Sequence, residues 1–288
     1  MRRVLITGAT GNVGIEVIKA LQQINHQLDL YAGVRNIEND KIYFKDFIIK
    51  YSHFDFTDIN TYTALNNSDI LFLLRPPQLA DVKKYFKPII ETCKIKGVKH
   101  IVFLSVQGVE KSKIIPHHKI EKLIVESKIN YTFLRPAYFM QNFSTTLRND
   151  LVKNKLVYLP AANSKFTLVD VRDIGAVAAL VLNNVSLHIN KSYELTCKEK
   201  LTFKQMALAL SKVLGIHINY KSPNLVSFFL AKRKEKFPAM LILVMIMLHY
   251  FPRFQKEPGI TNCIQNLINR QPISFEQFII DYRKLLIA

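Results

Sequence analysis

Cysteine is scarce in this chain of 288 residues: Cys93, Cys197 and Cys263 are the only three. They are odd in number and far apart, which excludes a disulfide framework and argues against a cysteine-based zinc site. Apolar runs of spanning length are also missing. Phe237 to Phe251 carries no formal charge, and its wholly apolar centre, Ala239 to Leu248, is about half the ~20 residues a membrane-spanning helix needs. The run Lys232-Arg233-Lys234-Glu235-Lys236 precedes that segment and Arg253 follows it, as in an amphipathic surface helix, but the segment shows no polar face in its sequence, so a buried helix or pocket wall is the favoured expectation. The opening MRRVLITG has two arginines but no apolar stretch with a small-residue cleavage site, so no secretion signal is expected and a reducing, cytoplasmic setting is. Acidic residues are few, 22 against 40 Lys and Arg, for a net charge of +18. Residues 1–160 carry 23 basic against 14 acidic side chains and residues 161–288 carry 17 against 8, so each half contributes +9. Such an even spread predicts a generally basic surface rather than the concentrated stripe of a nucleic-acid binder.

What is present is enough for a large core: 49% of residues are hydrophobic and 22% charged, a balance that excludes disorder. The first half alternates strand-like and helix-like segments, the pattern of a parallel sheet covered by helices. Strands are predicted at 3–7, 28–34, 47–54, 70–74, 100–104 and 131–134, with helices at 13–24, 82–96 and 120–127. The run Ile70-Leu71-Phe72-Leu73-Leu74 does not alternate, as expected of a central strand covered on both faces. After Pro136 the rhythm changes. Helices are predicted at 169–182 and 202–214, a strand at 193–196, and mostly helix from about 222 onward. The fold class is therefore α/β, a Rossmann-type doubly wound parallel sheet with a smaller, mostly helical C-terminal substrate part. The expected division is a nucleotide-binding domain over 1–157, with 165–200 returning to it, and a C-terminal region over 201–288.

Three of the nine glycines fall in Thr7-Gly8-Ala9-Thr10-Gly11-Asn12-Val13-Gly14, between a strand and a helix. A pyrophosphate can approach backbone only where no Cβ intervenes, and a helix N-terminus offers free N–H groups and a positive dipole end. The spacing is G-x-x-G-x-x-G. An NAD binder places an Asp or Glu at the end of the second strand to hold the ribose 2′-hydroxyl. Arg35 stands there instead, and no acid follows until Glu38. A guanidinium there pairs with a 2′-phosphate, so NADP(H) is expected to be preferred over NAD(H).

With these residues in hand, the sequence resembles the NmrA-like branch of the atypical short-chain dehydrogenase/reductases, and within it the NAD(P)H:quinone-reductase-like members. TGATGNVG (7–14), VRN (34–36), Asp55-Phe56, LSVQG (104–108), HHKIEKLIVES (117–127) and LRPAYFMQNF (134–143) carry the likeness, which extends through 169–182 and 193–215. The resemblance implies that Gly8, Thr10, Gly11, Asn12 and Val13 meet the pyrophosphate, with Gly14 completing the motif, and that Arg35 meets the 2′-phosphate. It implies Asp55 and Phe56 beside the adenine, Leu73, Leu74 and Arg75 beside the ribose, and Ser105 with Pro136, Tyr138, Phe139 and Met140 near the nicotinamide. Asp55 could equally be a loop cap, and Tyr138 and Phe139 plain core aromatics.

One feature of the wider superfamily is absent. No Tyr-x-x-x-Lys pair occurs; by the likeness, Lys113 and His117 stand in its place. Alcohol dehydrogenation and sugar-nucleotide epimerisation, which lean on that tyrosine, are disfavoured. Ser105 and His117 remain as candidate catalytic hydrogen-bond donors, although His117 and His118 could be surface caps. No metal site is expected. The activity implied is NADPH-dependent hydride transfer to a flat, quinone-like small acceptor. The alternative is a non-catalytic NADP(H) redox sensor, and less favoured still is a nucleoside-diphosphate-sugar epimerase. The sequence leaves the oligomeric state open.

Overall fold

The computed structural model describes residues 1–287. In chain order it runs β1 (Arg2–Ile6), α1 (Asn12–Gln22), β2 (Leu28–Val34), the one-turn α2 (Ile37–Asp40), β3 (Lys50–His53), β4 (Ile70–Leu74), α3 (Val82–Ile95), β5 (His100–Leu104), α4 (Pro116–Ser127) and β6 (Asn130–Pro136). Next come β7 (Tyr138–Phe139), α5 (Arg148–Asn154), β8 (Leu156–Tyr158), β9 (Lys165–Val169), α6 (Val171–Asn183), β10 (Lys191–Leu195) and β11 (Lys200–Thr202). The chain ends with α7 (Phe203–Leu214), β12 (Asn219–Lys221), α8 (Leu225–Lys234), α9 (Ala239–Tyr250), α10 (Cys263–Ile268), α11 (Phe275–Asp281) and α12 (Arg283–Ile287).

These elements form two compact units. The first, Met1–Pro136 with Val171–Leu195 and Cys263–Arg270, holds a seven-stranded parallel sheet in the order β10-β6-β5-β4-β1-β2-β3. Every residue of β5 and all but the last of β4 are buried, because alternate side chains enter two different helical layers. Leu71, Leu73, Ile101 and Phe103 share a core with Phe86, Ile90, Ile120 and Ile124 of α3 and α4. On the other side α1 packs closely on α6. An added Cβ at Gly175 of α6 would lie 2.6 Å from the Glu16 carbonyl oxygen of α1, so the glycine is what lets the two backbones approach.

The second unit is Ala137–Asp170 with Thr196–Asn262 and Gln271–Ala288. It contains a three-stranded sheet in the order β11-β9-β7 and the two-stranded pair β12-β8. Its core gathers Phe143, Phe203, Phe228, Phe275 and Phe278. The first segment of the other unit ends at Pro136, and β7 and β9 pair with each other instead of extending the parallel sheet. α7 starts on a capping box in which the Thr202 hydroxyl accepts from the Gln205 N–H, and ends at Gly215 in left-handed geometry, φ 73°.

α9 is not the buried helix that its apolar run suggests: Ile242, Met245 and His249 turn inward while Met240, Leu243 and Met247 are exposed. Lys232, which opens the basic run Lys232-Arg233-Lys234-Glu235-Lys236, lies inside this unit. It is 1% exposed, with its ammonium held by Asp150 and by Glu235 at 2.9 Å.

Three histidines link the cores to pH. Burial pushes His100 down to about 4, with His188 adding to the effect; burial pushes His249 to about 4, and burial with the nearby Arg75 charge pushes His117 to about 3. All three are neutral when folded, whereas an unfolded histidine takes up its proton near pH 6.5. Unfolding therefore binds protons below that pH, and stability, complete above about pH 6.5, falls as the pH drops towards 4 by up to about 1.4 kcal/mol per pH unit for each histidine. Urea midpoints measured from pH 7.5 down to 4.5 should decline steadily; a flat profile would contradict the burial of these rings.

Candidate functional site

Within the first unit the carboxyl ends of β1 to β6 lie along one edge of the sheet, since Ile6 is level with Phe72, and Leu74, Leu104 and Leu134 are level with one another. The strand order reverses between β1 and β4, and the loops that leave these two strands diverge there. In open α/β sheets this is where a ligand crevice opens.

The glycine turn occupies that point. Thr7 ties its two sides together: its hydroxyl donates to the Phe72 carbonyl and accepts from the Leu74 N–H, both at 3.0 Å. Gly8 turns the chain at φ 60°, a conformation that L side chains rarely adopt, and an added Cβ there would press on Leu74 at 3.0 Å. The Gly11 N–H closes the turn on the Gly8 carbonyl at 3.0 Å. Gly14 has a different reason. A Cβ there would sit 2.8 Å from the Ala9 Cα and overlap the Gly8 carbonyl oxygen, so α1 can start this close to the turn only without one. No side chain caps α1 and its first turn holds no acid. The free N–H groups and positive end of the helix are thus left for an anion. Gly11 and Asn12 are exposed, Thr10 is half-buried, and Val13 and Gly14 are buried.

Arg35 follows β2 and is exposed, and among the described residues its guanidinium makes neither hydrogen bond nor ion pair. Its charge reaches Asp55. Burial pushes the Asp55 carboxyl up, but the Thr57 N–H and hydroxyl, with the charges of Arg35 and His53, outweigh this and hold it below the usual range. Asp55 Oδ1 accepts from the Thr57 N–H at 2.8 Å and its hydroxyl at 2.7 Å, so Asp55 is a loop cap whatever else it does. The Phe56 ring packs edge-on against Phe54 at 5.1 Å and lies 5.6 Å from Phe86, which makes it core.

At the end of β4, Leu73 is wholly enclosed and only its backbone could meet a ligand, while Leu74 backs the Gly8 turn. Arg75 is clamped: Nη1 donates to the carbonyls of Pro76, Pro77 and Leu79 at 3.1–3.2 Å, and Nε donates to His117 Nε2 at 3.3 Å. Burial lowers its pKa to about 10, which still leaves it charged at neutral pH. That bond settles the chemistry of His117. Nε2 is the acceptor, so the neutral ring carries its proton on Nδ1, which has no protein partner among the described residues. His117 is therefore neither a surface cap nor a source of a proton near neutral pH; it is a hydrogen-bond donor. Ser105, just beyond β5, donates its N–H to the Leu134 carbonyl at 2.7 Å, while its buried hydroxyl has no partner among the described residues. Pro136 closes β6 and accepts from the Gln107 N–H at 2.9 Å.

These groups fit a dinucleotide. The first turn of α1 keeps its N–H groups uncapped, the Arg35 side chain is unpaired among the described residues, and the buried Ser105 hydroxyl has no hydrogen-bond partner among them. Among the described residues no group of three or more His, Cys, Asp or Glu is placed to hold a metal ion, and no helix is long and apolar enough to cross a membrane.

Tyr138, Phe139 and Met140 belong to the second unit. Met140 is enclosed in its core. Tyr138 sits among Phe166, Phe203 and His249, each ring 5.6 Å away. His249 Nδ1 lies 2.6 Å from the Met245 carbonyl, which can only accept, so Nε2 carries the lone pair and accepts from the Tyr138 hydroxyl at 3.1 Å. Burial pushes the phenol up, against a smaller lowering by Asn142, so the proton stays on the oxygen and points at the imidazole. Sequence reasoning missed this pair, 111 residues apart in the chain, and also missed Thr7 and Gly175.

Comparison with known proteins places the chain. It is 29% identical over 280 residues to the prestalk A differentiation protein A of Dictyostelium discoideum, covering 96% of this chain and 90% of that one. It is 27% identical over 241 residues to quinone oxidoreductase 2 of Escherichia coli, covering 82% of each. The fold matches an Escherichia coli NADPH-dependent quinone oxidoreductase complexed with NADPH at a TM-score of 0.86, with 22% identity over 97% of this chain and 99% of that one. The profile of the NmrA-like family matches residues 1–265, and the chain belongs to the NmrA-like family.

Proposed function

We propose that this chain is an NADP(H)-binding reductase that passes hydride to a flat, electron-poor, quinone-like acceptor. The observation that carries the reading is the uncapped, acid-free start of α1 behind its glycine turn, with Arg35 standing where an NAD binder would place an acid. In this reading the amides of residues 10–13 take the pyrophosphate and the Arg35 guanidinium pairs with the 2′-phosphate. When bound, the nicotinamide supplies the hydride. The Ser105 hydroxyl and the His117 Nδ1–H are then the two donors available at the carboxyl ends of the strands, to orient the carboxamide or to stabilise a developing oxyanion. Neither needs a Tyr-x-x-x-Lys pair, which suits an acceptor that is easily reduced. Relatives named for quinone and NADPH chemistry support this reading.

Arg35→Ala should weaken NADPH roughly tenfold to a hundredfold, the equivalent of one charge-assisted contact, and leave NADH nearly unchanged. Calorimetry with both nucleotides checks this; equal losses would sink the preference for NADP(H). Loss of reduced-nicotinamide absorbance with a panel of quinones then tests turnover. A second reading, a cofactor-binding regulator without turnover, draws on the missing tyrosine and on the relative named for differentiation. NADPH binding without oxidation by any quinone would establish it instead.

A further inference from the structure

We infer that the second unit carries a docking face for an anionic lipid bilayer, built from α8, α9 and the 3₁₀ turn at Phe251–Phe254, on which the protein lies without crossing the membrane. This rests on the surface of that unit alone and is independent of the reductase reading.

The face is apolar where a soluble helix would be polar. Met240, Leu243 and Met247 follow one another at three and four residues, a single stripe of α9, and all are exposed, Met240 at 62% and Leu243 at 51%. α9 packs against α8, which adds Leu230 at 63%, and against the turn, which adds Phe251 and Phe254, the latter at 71%. Scattered exposed leucines are ordinary; neighbouring elements that all present large apolar side chains mark a surface that something covers.

Charge identifies what covers it. From Lys221 to Lys256 the chain has seven Lys and Arg against one acid, Glu235. That acid is engaged by the buried Lys232. Arg233, Lys234 and Lys236 at one end of the stripe, and Arg253 and Lys256 at the other, are exposed. The Arg253 guanidinium lies 4.8 Å from the Tyr250 ring centre and 5.9 Å from that of Phe254, so its stem follows apolar surface to the edge. A second copy of the chain would bring these cations against their own kind, since the one acid of the stretch is already paired with Lys232. A bilayer with anionic headgroups meets both halves of the face, acyl chains for the stripe and negative charge for its ends.

Co-sedimentation of the full chain with phosphatidylcholine vesicles, with and without about a third phosphatidylglycerol, tests this; at least about tenfold more protein should partition onto the anionic vesicles at low salt, and high salt should release it. Leu243→Asp combined with Met247→Asp should abolish binding while circular dichroism stays as in the parent and the thermal midpoint moves little, since both positions face outward and neither belongs to the enclosed core. The chain has no tryptophan, so Met247→Trp supplies a single indole whose emission should shift to the blue on anionic vesicles only. The inference is overturned if vesicles are ignored, if binding is indifferent to lipid charge or survives the double aspartate variant, or if sedimentation instead shows a dimer that this variant dissociates.

Discussion

Lys232→Ala is expected to destabilise the second unit by about 3–5 kcal/mol, the cost of leaving buried carboxylate unpaired when its cation is removed. Lys232 is almost wholly enclosed at the end of α8. Its ammonium meets Asp150 of α5, itself 5% exposed, and both oxygens of Glu235 at 2.9 and 3.1 Å. Asn154 Nδ2 donates to Asp150 at 3.2 Å, the one other polar group on that carboxylate among the described residues. Without the ammonium the carboxylate has one amide and no charge against it. The effect should appear as a large drop in urea midpoint at pH 7. Burying an ion pair is not intrinsically favourable, and that gives the test its second arm. Lys232→Met with Asp150→Leu removes both charges and replaces them with apolar volume, so the double variant should recover most of the loss. Additive losses would show that the side chains act by packing alone.

The same lysine shows where the sequence stops being legible. In the chain Lys232 is one of four basic residues in a run of five, and composition marks such a run as solvated surface. Only the long-range approach of α5, some eighty residues earlier, makes it interior. Its neighbours Arg233 and Lys234 behave as the run suggests. α9 failed in the opposite direction: a stretch of ten apolar residues reads as buried because periodicity cannot reveal a polar face that does not exist. The structure buries one side of it and leaves the other bare.

The parallel sheet, by contrast, was legible. β2, β4 and β5 run over the residues predicted from their apolar pattern, and the helix of α7 from its Thr202 start to Gly215. Central strands announce themselves because both faces must be apolar. The strands of the second unit do not: β7, β8, β11 and β12 are two or three residues long, and pairings such as β8 with β12 join segments about sixty residues apart. No local window contains that information. The glycine motif was readable as chemistry, yet the separate reason for each glycine was not. Gly8 answers to backbone conformation, whereas Gly14 and Gly175 answer to space. The tautomer of His117 depended on where the Arg75 Nε–H pointed, which spacing cannot give.

Gly14→Ala carries the other large expectation, because α1 has nowhere to go. On its turn side the new methyl would overlap the Gly8 carbonyl oxygen and lie 2.8 and 2.9 Å from the Ala9 Cα and carbonyl oxygen. These are backbone atoms, held in place by the Thr7 hydroxyl bonds to β4, and no rotamer change can clear them. On its other side α1 rests on α6 through Gly175, where the backbones already approach as closely as a missing Cβ permits. Overpacking a core ordinarily costs about 1–3 kcal/mol, and a clash with backbone atoms that no side-chain rotation can clear places this variant at the upper end. The helix can relieve it only by tilting its N-terminus away from the turn, which moves the amides that would hold a pyrophosphate. A displacement of about 1 Å in a positioned site is enough for a loss of roughly a hundredfold. Gly14→Ala should therefore lower the unfolding midpoint and weaken NADPH and NADH alike, unlike Arg35→Ala, which separates the two nucleotides. Gly259→Ala, at a position where a Cβ meets nothing within 4 Å, is the matched control and should change neither. If Gly14→Ala bound both nucleotides as the parent does, the close approach of α1 to its turn would not be what builds the site.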